Sequence, residues 1–484
     1  MNKKLVLVVV VLFSALFTAP ARAQVEVETR PKQKVASQAP AVLDARITRL
    51  LSVLNSGDEA GIRQFVVESF SAEALKRRPV EPRVARLKDL AADGPYELLR
   101  PLAAGPDGPR ALIRSKKSRE TQELMLELDP HGIVSVQLEA AGPESETEAD
   151  GGPKASDQEA AAATEAHVAR LAASQAFSGV VLMARKGKVF FEKAYGMANE
   201  DFDVPNRLDT KFNIGSINKV FTQILVAQLA QEKKLDLDDP IAKILTELRI
   251  PSAGTITVRH LVTMSSGLGD IFGEKYQATS KENLRKLSDF VPLFADQPLL
   301  FAPGARKEYS NAGYVVLGLI VEKLTGLDYA EAVSQHVCRI AGMTDTGVYE
   351  QDAVTKNRAT GYTRRVGPGR RSNIYTLPAR ASSAGGGYST AHDLLRLDAA
   401  LRADKLVNHE WTGWVLGDKD AKPAAQSVPG PHRGGFGFAG GSPGVNGVVE
   451  MNLTGGTTII VLSNLDPPSA ESVARRLRSW LPKD

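Results

Sequence analysis

Cysteine is almost missing from this 484-residue chain: Cys338 stands alone, so no intrachain disulfide can form. It follows Val337 in an apolar helical context and reads as a packed core residue, not a nucleophile. Histidine is scarce, at seven residues. No pair of histidines has metal-ligand spacing and no His-Glu-x-x-His run occurs, so the sequence calls for no metal and no other cofactor. His260, set among Leu261, Val262 and Met264, reads as part of a structural helix. An excess of one charge is also lacking. The formal net charge is +4, and Lys3, Lys4 and Arg22 lie in a leader expected to be removed, which leaves +1, four less three. A near-neutral chain gives no reason to propose nucleic acid as a partner. After the leader no apolar run is long enough to span a bilayer, so no stable membrane span is expected in the mature chain.

What is present divides the chain. Residues 1–23 have the parts of a secretory signal: Lys3 and Lys4, the apolar stretch Leu5 to Phe17, and Ala21-Arg22-Ala23 as the cleavage site. Cleavage after Ala23 makes the expected location periplasmic or secreted. Residues 24–40 read as a flexible lead. Residues 41–139 read as a small α+β domain: two helices, around Leu43 to Leu54 and Ile62 to Phe70, then four strand-like runs from Tyr96 to Leu138. It shows no catalytic constellation. Residues 140–165 hold seven acidic residues against Lys154 and read as a solvated acidic linker. Residues 166–484 form the main domain. Strand signals lie at both of its ends, Phe177 to Tyr195 and Phe436 to Ser463, with helices between. That pattern predicts an α+β fold in which one antiparallel sheet is built from both termini around a helical insert.

The chemistry is carried by Ser216-Ile217-Asn218-Lys219 and, about ninety residues on, Tyr309-Ser310-Asn311. Positions i and i+3 share a helix face, so Lys219 can stand beside Ser216. A serine hydroxyl needs a base beside it, and a buried lysine sheds its proton readily. Apolar residues at Ile217, Val220, Phe221, Ile224, Leu225 and Leu229 predict a largely buried helix with Ser216 near its N-terminus. A capping serine with a surface lysine would read the same; the tyrosine motif weighs against that.

Together these stretches, with Ile256 to Leu268, Pro303-Gly304, Gly342 to Thr346 and Ala384 to Thr390, resemble the serine β-lactamase and penicillin-binding-protein superfamily. They are most similar to its class C β-lactamase-like branch of esterases and D-amino-acid peptidases. The resemblance covers roughly residues 165–484 and implies a β-lactamase/transpeptidase-like fold. It implies that Ser216 forms an acyl-enzyme, that Lys219 helps deprotonate it, and that Asn311 orients Lys219 and the substrate. Tyr309 is expected to have a depressed pKa beside the lysine ammonium and to act as base, then acid. The oxyanion would be held by the N–H of Ser216 and one from the C-terminal strand at Gly440-Gly441, with Gly441 the expected donor.

One position departs from the family. Its third motif has Lys or His, a small residue, then Gly, and this chain reads Phe438-Ala439-Gly440. A phenylalanine cannot hold a substrate carboxylate, which favours a less charged ester or amide substrate. His432 and Arg433 lie just upstream and could supply a positive charge instead. The functional expectation is an exported serine hydrolase acting on a small-molecule or peptide acyl substrate, with β-lactams and D-amino-acid peptides among the candidates. The alternative is a non-catalytic relative that binds a cell-wall fragment or a protein partner.

Overall fold

The structure is a computed structural model that describes residues 43–481 except 78, 106–107, 118–120, 141–153, 155, 251, 366–368, 418 and 420–431. The described residues form two compact units, 43–140 and 154–481. The expected signal at 1–23, the lead at 24–40 and the first part of the linker lie outside them.

The first unit opens with four helices: α1 (Ala45–Ser56), α2 (Glu59–Ser69), α3 (Ala72–Arg77) and α4 (Val80–Asp93). Asp44 and Asp58 cap the first two through their carboxylates, which accept backbone N–H groups of the first turn. Sequence reasoning anticipated α1 and α2 but not α3 or α4; the latter hides Val84, Leu87 and Leu90 among charged residues. The strands β1 (Tyr96–Gly105), β2 (Gly108–Ser115), β3 (Thr121–Asp129) and β4 (Gly132–Ala140) form an antiparallel meander in sequence order. Their inward residues Ala111, Ile113, Leu124 and Leu126 share one core with Ile47, Leu50, Phe65 and Val66 of the helices.

The second unit begins with α5 (Asp157–Ala173), which starts inside the stretch read as linker. Ser156 accepts the Glu159 N–H, and Asp157 and Glu159 lie in the first turn. There their charge meets the positive end of the helix dipole. The acidity that looked like a tether is, from residue 157 on, a helix start.

Two strands follow, β5 (Gly179–Arg185) and β6 (Lys188–Tyr195). The helical insert includes α6 (Lys219–Gln231), α7 (Asn311–Thr325), α8 (Ala391–Arg402) and α9 (His409–Leu416). The chain then returns to the sheet through β7 (Gly435–Ser442), β8 (Val445–Asn452) and β9 (Thr457–Ser463), and closes with α10 (Ser469–Trp480). The sheet order is β7-β8-β9-β5-β6, with every neighbour antiparallel. This is the α+β fold that the sequence pattern predicts.

Both faces of the sheet are covered, which explains the near-continuous apolar runs of its central strands. Val180, Leu182, Ile460 and Leu462 face the core of the insert, while Val181, Met183, Ile459 and Val461 face the layer of α5 and α10. The period of two along a strand divides one sequence between two cores. Among the described residues, no helix is long and apolar enough to cross a membrane.

Leu182 is fully buried opposite Ile460 at the centre of this arrangement. Leu182→Ala is expected to destabilise the second unit by about 2–5 kcal/mol in urea unfolding, and a loss under 1 kcal/mol would contradict this packing.

Candidate active site

Ser216 lies in a 3₁₀ turn, Gly215–Asn218, that runs directly into α6. The turn is tight: Gly215 adopts φ 50°, and its N–H donates to Asn213 Oδ1 at 2.9 Å. Helix α6 is buried from Lys219 to Ala227, so its first residue cannot reach bulk water. On the facing element, Ser310 caps α7: its Oγ accepts the Gly313 N–H and donates to Gly269 O, each at 2.9 Å. That cap sets Tyr309 just before the helix and Asn311 as its first residue.

These elements bring Ser216, Lys219, Tyr309 and Asn311 together. Tyr309 Oη is 2.6 Å from Ser216 Oγ, and Lys219 Nζ is 3.2 Å from the same oxygen. Lys219 Nζ also donates to Asn311 Oδ1 at 2.8 Å and to the carbonyl of Ala384. With two N–H bonds engaged by those oxygens, a neutral amine directs its lone pair at the serine. The loop carrying Ala384 is pinned by Asn218 Nδ2 on Ser382 O at 2.7 Å and Thr222 Oγ1 on Ser383 O at 2.8 Å. Lys219 is 2% exposed, whereas Ser216 and Tyr309 are half-buried. The hydroxyls are partly open to solvent; the amine is not.

Burial pushes the Lys219 pKa down to about 7, with the charge of Asp270 opposing the shift. Tyr309 moves the other way. Burial raises its pKa, the hydrogen bond with Ser216 lowers it in part, and Asp270 adds to the rise. This corrects the expectation of a phenol acidified by a neighbouring ammonium: at neutral pH much of the amine carries no charge, so desolvation decides.

Asp270 was not picked out from the sequence. Both of its carboxylate oxygens accept from Asn311 Nδ2, at 2.9 and 3.1 Å, so Asn311 keeps its oxygen turned to Lys219. The only sequence signal was a carboxylate in a glycine-containing turn two residues past Leu268.

Gly440 and Gly441 also come to the site. A Cβ on Gly440 would stand 2.1 Å from Ile214 O and 2.7 Å from Ser216 N, and one on Gly215 would stand 3.0 Å from Gly441 N. At Gly440, strand β7 can pass the Ser216 turn this closely only without a side chain. Phe438 does not act as a polar substitute. It is half-buried, makes an edge contact with Phe436 at 4.6 Å and packs on the core. His432 is not at the site. Six residues of strand, roughly 20 Å at 3.3 Å each, separate Gly435 from Gly441, and His432 lies beyond the Gly435 end. Its Nε2 meets Asp404 Oδ1 at 2.8 Å, and Arg433 is exposed. His260 is structural: its Nδ1 accepts the Thr257 N–H in a capping box. Cys338 is buried in the core, as expected.

The family model described as Beta-lactamase matches residues 164–481. The chain belongs to the beta-lactamase family. It is 32% identical to Protein flp of Staphylococcus aureus (strain NCTC 8325 / PS 47) over 185 residues, which cover 38% of this chain and 37% of that protein. The match therefore spans little more than a third of that relative. Among solved structures, the penicillin binding protein from Bacillus halodurans is 30% identical with a TM-score of 0.58, over 64% of this chain and 99% of that one. The D-amino acid amidase from Ochrobactrum anthropi SV3 shares the fold at 24% identity, with a TM-score of 0.53, over 67% of this chain and 96% of that one.

An unfolded lysine titrates near 10.5, and here the folded value is about 7. Between those values the unfolded chain binds the extra proton, so this site makes stability rise with pH across that window and adds no slope below about 7. Wild-type stability relative to Lys219→Met is expected to increase by about 1.4 kcal/mol per unit between pH 7.5 and 9 in denaturant unfolding. A pH-independent difference would rule out a neutral buried amine.

Proposed function

We propose that this chain is an exported serine hydrolase that works through an acyl-enzyme on Ser216, with an ester or amide as substrate. The observation that carries the reading is the approach of Lys219 Nζ and Tyr309 Oη, at 3.2 and 2.6 Å, to one partly open serine hydroxyl.

In this reading Ser216 Oγ attacks the substrate carbonyl while its proton passes to neutral Lys219. The tetrahedral oxyanion is held by the N–H groups of Ser216 and Gly441. Tyr309, kept protonated by its burial, donates to the leaving oxygen or nitrogen as the bond breaks. The proton on Lys219 then neutralises the phenolate, and water completes the cycle on the acyl carbonyl. Asn311, held by Asp270, keeps the amine in place.

Phe438 supports a substrate without a carboxylate at that position, so neutral esters and amides fit better than ligands anchored by an acid. The same residue favours the second reading, a non-catalytic protein that binds a cell-wall fragment or a protein partner. Export rests on the signal-like residues 1–23 and would place the mature chain in the periplasm or outside the cell.

Labelling separates the two readings. A fluorophosphonate or a penicillin is expected to add to Ser216, and Ser216→Ala should abolish the adduct. Turnover of a p-nitrophenyl ester should fall at least about 10³-fold in that variant. Because Lys219 acts as base only once deprotonated, kcat/KM should rise with pH through about 7. Absence of both adduct and turnover in wild type selects the binding protein.

A further inference from the structure

Away from Ser216, three side chains converge that the chemistry above does not use. Asp404 follows α8 in the left-handed region, at φ 53°. His409 opens α9, and His432 lies just before β7. His409 Nδ1 is 2.8 Å from Asp404 Oδ2, and His432 Nε2 is 2.8 Å from Asp404 Oδ1. The two imidazoles stack at 4.3 Å with an interplanar angle of 25°, so both turn a nitrogen to one carboxylate.

We propose that Asp404, His409 and His432 form a binding site for a divalent transition-metal ion, zinc by the nature of its donors. Two imidazole nitrogens and a carboxylate oxygen are a borderline-soft set that suits zinc and suits calcium or magnesium poorly. The three ligand atoms already lie within 4.8 Å of one another. A tetrahedral ion with bonds of about 2 Å needs edges of roughly 3.3 Å, so each 2.8 Å contact opens by about 0.5 Å to admit it. Each imidazole shifts its proton to the outer ring nitrogen and offers the inner lone pair, and Asp404 binds as the carboxylate, so no net proton leaves neutral rings. Exposure is graded in the right sense: the His432 side chain is 9% exposed, His409 29% and Asp404 30%. One side of the cluster is therefore open, and water completes the shell there. The three ligands come from the end of α8, the start of α9 and the approach to β7. An ion at this point joins the helical insert to the strand whose far end carries Gly440 and Gly441. Its role is structural, since that far end lies about 20 Å off.

The test uses the full chain after chelator treatment, titrated with Zn²⁺ by calorimetry and with Co²⁺ by its visible absorption. Wild type is expected to take up one Zn²⁺ at micromolar or tighter Kd, to show a tetrahedral Co²⁺ spectrum, and to gain a few degrees in Tm at about 100-fold Kd. Asp404→Asn and His432→Ala should each bind at least about 100-fold more weakly and lose the Co²⁺ spectrum; Asp404→Asn, nearly isosteric, covers the case in which His432→Ala fails to fold. The proposal is overturned if wild type binds no Zn²⁺ below about 0.1 mM, or if Asp404→Asn binds as wild type does. These readouts do not depend on hydrolysis, so they stand apart from the acyl-enzyme reading.

Discussion

An amine taken out of water must either find a counter-charge or give up its proton, because desolvation of the charged form costs several kcal/mol. Lys219 is in that position. The walls around it are Tyr309, Tyr314, the Ala384 carbonyl and the Asn311 amide, with the carboxylate of Asp270 one residue further off. Asp270 moderates the shift without forming an ion pair, since Asn311 stands between them. A direct pair would hold the ammonium charged; no acid at all would push the pKa lower still. The arrangement yields an amine that titrates in the neutral range and has one direction left for its lone pair.

Everything nearby serves to keep that amine dry and the serine partly open. Helices α6 and α7 are buried over most of their length, which fixes their first residues, Lys219 and Asn311, side by side. The loop at Ser382 to Gly387 is hydrogen-bonded to both helices and presents a carbonyl rather than water to Nζ. Strand β7 closes the other side, and at Gly440 any side chain would strike the Ser216 turn. Energy from burying apolar surface in the insert thus holds a polar constellation that would not persist alone.

Much of this was legible in the sequence because it depends on local pattern. Runs rich in strand-forming residues located the sheet strands at both ends of the domain. The resemblance of Ser216, Lys219 and Tyr309-Ser310-Asn311 to a known family brought the site residues into one list, and the glycine pair at 440–441 followed from the same stretch. What could not be read depends on distance through space. Asp270 bonds a residue 41 positions away, and nothing local to it announces that. The direction of the Tyr309 shift required knowing that the phenol itself is buried. His432 was placed near the site because it is close in sequence to Phe438, but an extended strand carries it away. The start of α5 was missed because acidic residues in a first helical turn and in a solvated tether have the same composition.

The account rests on the protonation state of one side chain, and that can be measured directly. In protein labelled with ¹³C at lysine, the ε-carbon of Lys219, assigned by its loss in Lys219→Met, can be followed through a pH titration. A midpoint near 7 is the expected result. A midpoint near 10.5, the ordinary value for lysine, would mean that the amine stays charged beside Ser216 at neutral pH, and it could not then serve as the base.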